Sequence, residues 1–390
     1  MEFGAVEEVE GDGRESHMTD HLCVGREEEI RQLYTLFESS LRGDKQLCFI
    51  TGEAGLGKTT LVNSFIEQIN ETHPTTIVAL GECNGQAGIT DPYLPFRDVL
   101  DMLTGITESK TTPKKLGEKN TSRIKEFALT SFESLLELGP DLIGSVIPGG
   151  ILAAKAIKVF ADKSKVLQRL KDRVNQTAIQ PASINEVNIF QQYTAFLQSL
   201  SKNNSLVIVL DDLHWADNAS ISLLFHLARR IERGHLFIIG TYRPNEVSLE
   251  RDGNRHPLEP VLNEIKRYYG NIWVDLAKET EHERKEFVDA LVDSEPNHLN
   301  DDFRKHLFAK TEGNTLFTME LLRDLKERRY LIKDQNGFWI EGKHLQWGTL
   351  PTKVEGVIEE RIMRLEQQLR DALVHRGGNK HRVLDRKSVV

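Results

Sequence analysis

The stretch Gly52-Glu53-Ala54-Gly55-Leu56-Gly57-Lys58-Thr59 constrains this chain more than any other, because it matches G-x-x-x-x-G-K-[ST] in the setting that gives the pattern meaning. Before it stands the apolar run Leu47 to Ile50, which reads as a buried strand. After it Leu61, Phe65, Ile66 and Ile69 recur at helical spacing, so a helix is expected to begin at Lys58. The glycines permit backbone conformations that aim successive N–H groups at phosphate oxygens, and the helix N-terminus adds partial positive charge. Lys58 is then expected to reach the β and γ phosphates of a nucleotide and the Thr59 hydroxyl to ligate Mg²⁺, with Gly52 to Thr60 as the binding segment. A chance glycine-rich turn would need neither the strand nor the helix.

The rest of the pattern is that of an α/β protein. Helical spacing at Ile30, Leu33, Tyr34, Phe37 and Leu41 precedes the first strand. Thr76 to Leu80, Leu206 to Leu210, Leu236 to Gly240 and Asn271 to Leu276 are further strand candidates, with a helix carrying Ile221, Leu224, Phe225, Leu227 and Ala228 between the third and fourth. Unbroken aliphatic strands alternating with helices predict a five-stranded parallel sheet covered on both faces. About Thr104 to Ser183 forms a long insertion, too long for an ordinary loop, with helical fragments at Ser122 to Leu138 and Ile151 to Val174. It reads as a helical subdomain or lid. From Glu281 the spacing is helical and highly charged (277–329). Tyr330 to Lys333 and Phe338 to Ile340 then flank Asp334-Gln335-Asn336-Gly337, a hairpin signal, and Val354 to Leu373 resumes a helix in a C-terminal module (330–373) that reads as cut short before an irregular tail (374–390).

Charge and cysteine usage narrow the function. The chain has 390 residues and a net charge of −9. Met1 to Glu29 holds ten acidic and two basic residues, so the remainder is close to neutral and has no basic field to attract nucleic acid. Residues 1–21 read as a disordered acidic leader and 22–276 as the nucleotide-binding core. Cys23, Cys48 and Cys83 lie far apart with no C-x-x-C pair. The acidic start does not fit a signal peptide, and Leu142 to Ala154, uncharged but broken by Pro148-Gly149-Gly150, is too short to span a membrane. A cytoplasmic protein without a membrane partner is expected.

Two further features bear on chemistry. Ser205-Leu206-Val207-Ile208-Val209-Leu210 ends in Asp211 and Asp212. One carboxylate there can hold the Mg²⁺ shell opposite Thr59, expected of Asp211, and the next can polarise an attacking water, expected of Asp212. The alternative is that the pair caps the following helix. Arg243 leaves the end of the fourth strand, where ligands of open α/β sheets lie, and can sense a γ-phosphate; otherwise it is a surface residue in the turn before Pro244. His214 and Trp215 read as loop packing. An N-K-x-D guanine signature is absent, since Asn379-Lys380 is followed by His381-Arg382, so ATP is preferred.

Val24-Gly25-Arg26-Glu27-Glu28-Glu29, the glycine-rich loop, Leu210-Asp211-Asp212-Leu213-His214-Trp215-Ala216-Asp217 and Gly240-Thr241-Tyr242-Arg243 together resemble the origin-recognition-like AAA ATPase domain of STAND-class signal-transduction P-loop ATPases, over about Leu22 to Leu325. The resemblance implies that Val24, Gly25 and Arg26 line the adenine side. It also implies a lid contact near Asn314, although Gly313-Asn314-Thr315 stands here in place of Gly-Asn-Pro, without the fixed φ and ring contact of the proline. The leading expectation is an ATP-binding, slowly hydrolysing switch that works with ATP and Mg²⁺ on an effector or sensor module outside this chain and self-associates in a nucleotide-dependent way. The alternatives are a DNA-remodelling or loading ATPase, which would bind duplex in a salt-dependent way, and a non-hydrolysing nucleotide-stabilised scaffold.

Overall fold

A computed structural model describes residues 25–83, 92–105, 112–139, 142, 186–231, 233–248, 255–270, 272–278, 280–351 and 356. The expected acidic leader, the helical fragment Ile151 to Val174, the tail and all but one residue of the helix Val354 to Leu373 lie outside them. The chain runs α1 (Glu27–Leu41), β1 (Gln46–Thr51), α2 (Lys58–Thr72), β2 (Ile77–Glu82), α3 (Leu94–Thr104), α4 (Thr112–Leu138), α5 (Glu186–Ser201), β3 (Leu206–Asp211), α6 (Asn218–Arg230), β4 (Leu236–Tyr242), α7 (Pro244–Ser248), α8 (Leu258–Tyr269) and β5 (Trp273–Asp275). After these come α9 (Glu281–Asp293), α10 (Asp301–Thr311), α11 (Thr315–Glu327), β6 (Leu331–Lys333) and β7 (Trp339–Glu341).

The five strands form one sheet in the order β2-β3-β4-β1-β5, with every neighbouring pair parallel. Alternate residues of each strand feed two separate apolar layers. Leu33 and Phe37 of α1 and Leu61, Phe65 and Ile69 of α2 pack on Cys48, Ile50, Val209 and Ile239. Phe96, Tyr193, Leu224 and Ile265, from α3, α5, α6 and α8, pack on Leu47, Phe49, Ile208 and Ile238. Burying both faces is what makes the strands read as unbroken aliphatic runs, each large apolar side chain contributing about 1.5–3 kcal/mol. The fifth strand is shorter than its sequence suggests.

The first part of the long insertion is core. Helix α4 lies along β2, the strand at the sheet's edge, where the buried Asn120 side chain accepts from Val78 N–H (3.1 Å) and donates to Val78 C=O (3.0 Å). Arg123 donates to the Thr76 carbonyl and to Asn70 Oδ1. Helix α4 also begins about ten residues earlier than its apolar spacing indicates.

The C-terminal helices have a core of their own, built on Phe287, Leu291, Phe303, Leu307, Leu321 and Leu325. Thr280 and Glu283 form a reciprocal cap on α9, and Asn300 caps α10. The antiparallel hairpin β6–β7 follows as expected, but its connection is the five residues 334–338, in which Asp334 Oδ1 accepts from Asn336 N–H and Phe338 N–H, and Gly337 alone takes a positive φ. Among the described residues no helix is long and apolar enough to cross a membrane.

Candidate nucleotide site

The glycine-rich loop leaves the carboxyl end of β1, between β4 and β5 in the sheet, and hands the chain directly to α2. Gly55 (φ +82°) and Gly57 (φ +81°) take left-handed conformations that place the loop's turn and release the helix at Lys58. A side chain at Gly55 would stand 2.8 Å from Leu316 Cβ. Lys58 is 7% exposed, and its ammonium donates to the carbonyls of Gly52 (2.7 Å) and Glu53 (3.1 Å). Burial and the charge of Arg243 push its pKa down, against the pull of Asp212, Asp211 and Glu53. Thr59 is exposed at the helix start, while Ala54 is exposed and Leu56 and Thr60 half-buried.

Strand order brings the carboxylates to this loop. Because β4 lies between β3 and β1, Asp211 at the end of β3 meets Thr241 of β4. The Thr241 hydroxyl donates to Asp211 Oδ1 (2.5 Å) and accepts from Asp212 N–H (2.9 Å). Asp212 holds a left-handed backbone (φ +57°), uncommon outside glycine, asparagine and aspartate. Burial and the neighbouring Asp211 raise its pKa, opposed by Arg243 and Lys58. Neither carboxylate caps the next helix. Asp217 does that, accepting from Ala219 N–H (2.9 Å) and Ser220 N–H (3.0 Å).

Arg243 is brought to the same edge. Its charge acts on both Lys58 and Asp212, and its Nη1 donates to Glu246 Oε1 at 2.7 Å. Asn245 N–H in the same turn donates to Glu53 Oε1 (3.1 Å) of the glycine-rich loop. His214 is buried among them, with Nδ1 3.8 Å from Asp212 and Nε2 3.9 Å from Glu246.

The remaining expected residues surround the loop. Val24 lies outside the described residues. Gly25 (φ +73°) approaches the Glu283 carbonyl of α9. Arg26, 6% exposed, donates from Nη2 to the Leu56 carbonyl (3.2 Å) and from Nη1 to Glu29 (3.1 Å), so its guanidinium supports the loop from behind. Asn314 caps α11 by accepting from Phe317 N–H (3.0 Å), and the next turn reaches the loop, Leu316 N–H donating to the Gly55 carbonyl at 3.1 Å.

Sequence reasoning singled out Lys58, Asp211, Asp212 and Arg243, and missed Thr241, Glu246 and Leu316 as parts of the site. Thr241 was within reach, since it stands in Gly240-Thr241-Tyr242-Arg243, two residues before Arg243. Glu246 also carried a local signal, three residues after Arg243, whereas the meeting of Leu316 with Gly55 has none.

A donor set of left-handed glycines, a buried ammonium and a helix start fits a polyphosphate, and a carboxylate at the adjoining strand end fits its counter-ion. A family model described as AAA ATPase domain matches residues 22–239. Comparison with curated proteins gives no match. Among solved structures the chain is similar to the ORC1 protein of Aeropyrum pernix, determined in complex with DNA, at 14% identity and a TM-score of 0.42, covering 91% of this chain and 72% of that one.

Proposed function

We propose that this chain, which belongs to the AAA ATPase domain family, is a slow ATP-driven switch of a signal-transduction or transcription-regulatory protein. The observation that supports the reading is the convergence on one loop of a set of charges suited to a terminal phosphate and its counter-ion, and of a separate helical segment. Lys58 feels Arg243, Asp212 and Asp211, while Gly55 of the same loop receives the N–H of Leu316. A switch needs two states that bind nucleotide with different free energies, and contacts to a γ-phosphate supply such a difference.

In this reading the loop N–H groups and Lys58 bind the phosphates. Thr59 and Asp211 would hold Mg²⁺, which when bound neutralises phosphate charge. Thr241 fixes the Asp211 carboxylate through its hydroxyl and the Asp212 backbone through its oxygen, which leaves the Asp212 carboxylate to orient and deprotonate a water. Arg243 reads the γ-phosphate. Gly25 and Arg26 set the adenine side and brace the loop, and Asn314 starts the helix that touches it.

Replacing Lys58 by Ala is the first test. The ammonium meets phosphate charge only in the complex, so the variant should keep the wild-type circular dichroism and lose tight ATP binding in an equilibrium titration. Unchanged ATP affinity in a folded variant would refute the site. Single-turnover hydrolysis by the wild-type protein separates a switch from a scaffold that never cleaves.

A further inference from the structure

Arg243 already has an anionic partner. Nη1 donates to Glu246 Oε1 at 2.7 Å, and the two side chains keep only 25% and 18% of their exposure, so solvent screens the pair incompletely. Arg243 directly follows Tyr242, the register partner of Thr51 at the start of the glycine-rich loop, and its charge acts on Lys58 and Asp212. It therefore stands where an anion held by Lys58 would compete for it. The turn that carries Glu246 cannot drift away freely, because Asn245 N–H is fastened to Glu53 of the loop. Beside Glu246 lies the buried imidazole of His214, 3.9 Å away, which gives the carboxylate a neighbour when the guanidinium turns from it.

We propose that Glu246 is a positioning residue that restrains Arg243 and thereby lowers the preference of this site for ATP over ADP. The proposal rests on the ATP reading above and deepens it by assigning a residue that sets nucleotide selectivity. ADP ends at the β-phosphate and leaves the Arg243–Glu246 pair intact. ATP has to draw the guanidinium away from Glu246, and it also places a γ-phosphate near a like-charged carboxylate. Both effects have the same sign, and both vanish when Glu246 loses its charge.

The test is calorimetric titration with ADP and with a non-hydrolysable ATP analogue, on wild type, Glu246→Gln, Arg243→Ala and the double variant. Glu246→Gln should raise the ratio of ATP to ADP affinity about tenfold, the size of one charge-assisted contact, and leave ADP affinity unchanged. In the Arg243→Ala background the same substitution should move the ratio clearly less, because only the direct repulsion between the carboxylate and the γ-phosphate is left to remove. Glu246→Ala must reproduce the rise, which guards against a folding defect peculiar to the carboxamide. A fallen or unmoved ratio overturns the proposal, and so does a rise of undiminished size without Arg243. A wild-type protein that binds neither nucleotide removes the ATP reading itself, whereas one that binds both with an unmoved ratio in Glu246→Gln removes only this inference.

Discussion

At the scale of single residues, the two carboxylates at the end of β3 are chemically alike and differently held. Asp211 is tied by its side chain to Thr241, whereas Asp212 is tied by its backbone and keeps its carboxylate beside Lys58 and Arg243. Asp211→Asn should therefore raise the Mg²⁺ concentration needed for ATP binding. Asp212→Asn should keep Mg²⁺-dependent binding and slow hydrolysis by roughly 100-fold or more. Titrating Mg²⁺ against both variants, with turnover measured in parallel, checks the assignment, and the reverse pattern would exchange the two roles. Lys58, Asp211 and Arg243 were legible because each belongs to a short pattern whose chemistry is local. Thr241 meets Asp211 only because β4 lies beside β3, and Leu316 meets Gly55 from 261 residues away; no spacing within one segment expresses either meeting.

At the scale of elements, the sheet was readable and its edge was not. Aliphatic runs announce strands buried on both faces, so β1 to β4 stand close to where the pattern puts them. Helix α4 announces itself from Ser122 onward, but its first turns carry Pro, Lys, Gly and Glu without an apolar stripe, and the feature that matters in them is the polar Asn120. Its amide satisfies the N–H and the C=O of one residue of β2 in a fully buried position. Asn120→Ala leaves a buried donor and a buried acceptor unpaired, at a cost of about 2–4 kcal/mol. Urea unfolding should show that loss as a lower midpoint, and a midpoint within error of wild type would mean that water replaces the amide at no cost.

At the scale of the whole molecule, the helical segment after the sheet is joined to the nucleotide loop by main-chain groups. Leu316 N–H meets the Gly55 carbonyl, and Glu283 O lies close to Gly25, the neighbour of the Arg26 that braces Leu56. Opening one element should therefore expose the other. Adding a saturating non-hydrolysable ATP analogue should slow amide exchange in residues 313–318 together with residues 52–60. Protection confined to the loop would show that the two open independently. Sequence located the helical segment through its charge and spacing, but its docking point depends on tertiary geometry that neither expresses. The treatment of the sheet's two margins reaches beyond this chain's own stability. Along β2 and the residue before it, Thr76 O accepts from Arg123, Val78 N–H and C=O are both bonded by Asn120, and Glu82 N–H donates to Asp98; on β5, Trp273 O accepts from Gln32. Groups already engaged in this way make these two margins poor templates for a foreign strand, so edge-to-edge pairing of native molecules along this sheet is disfavoured.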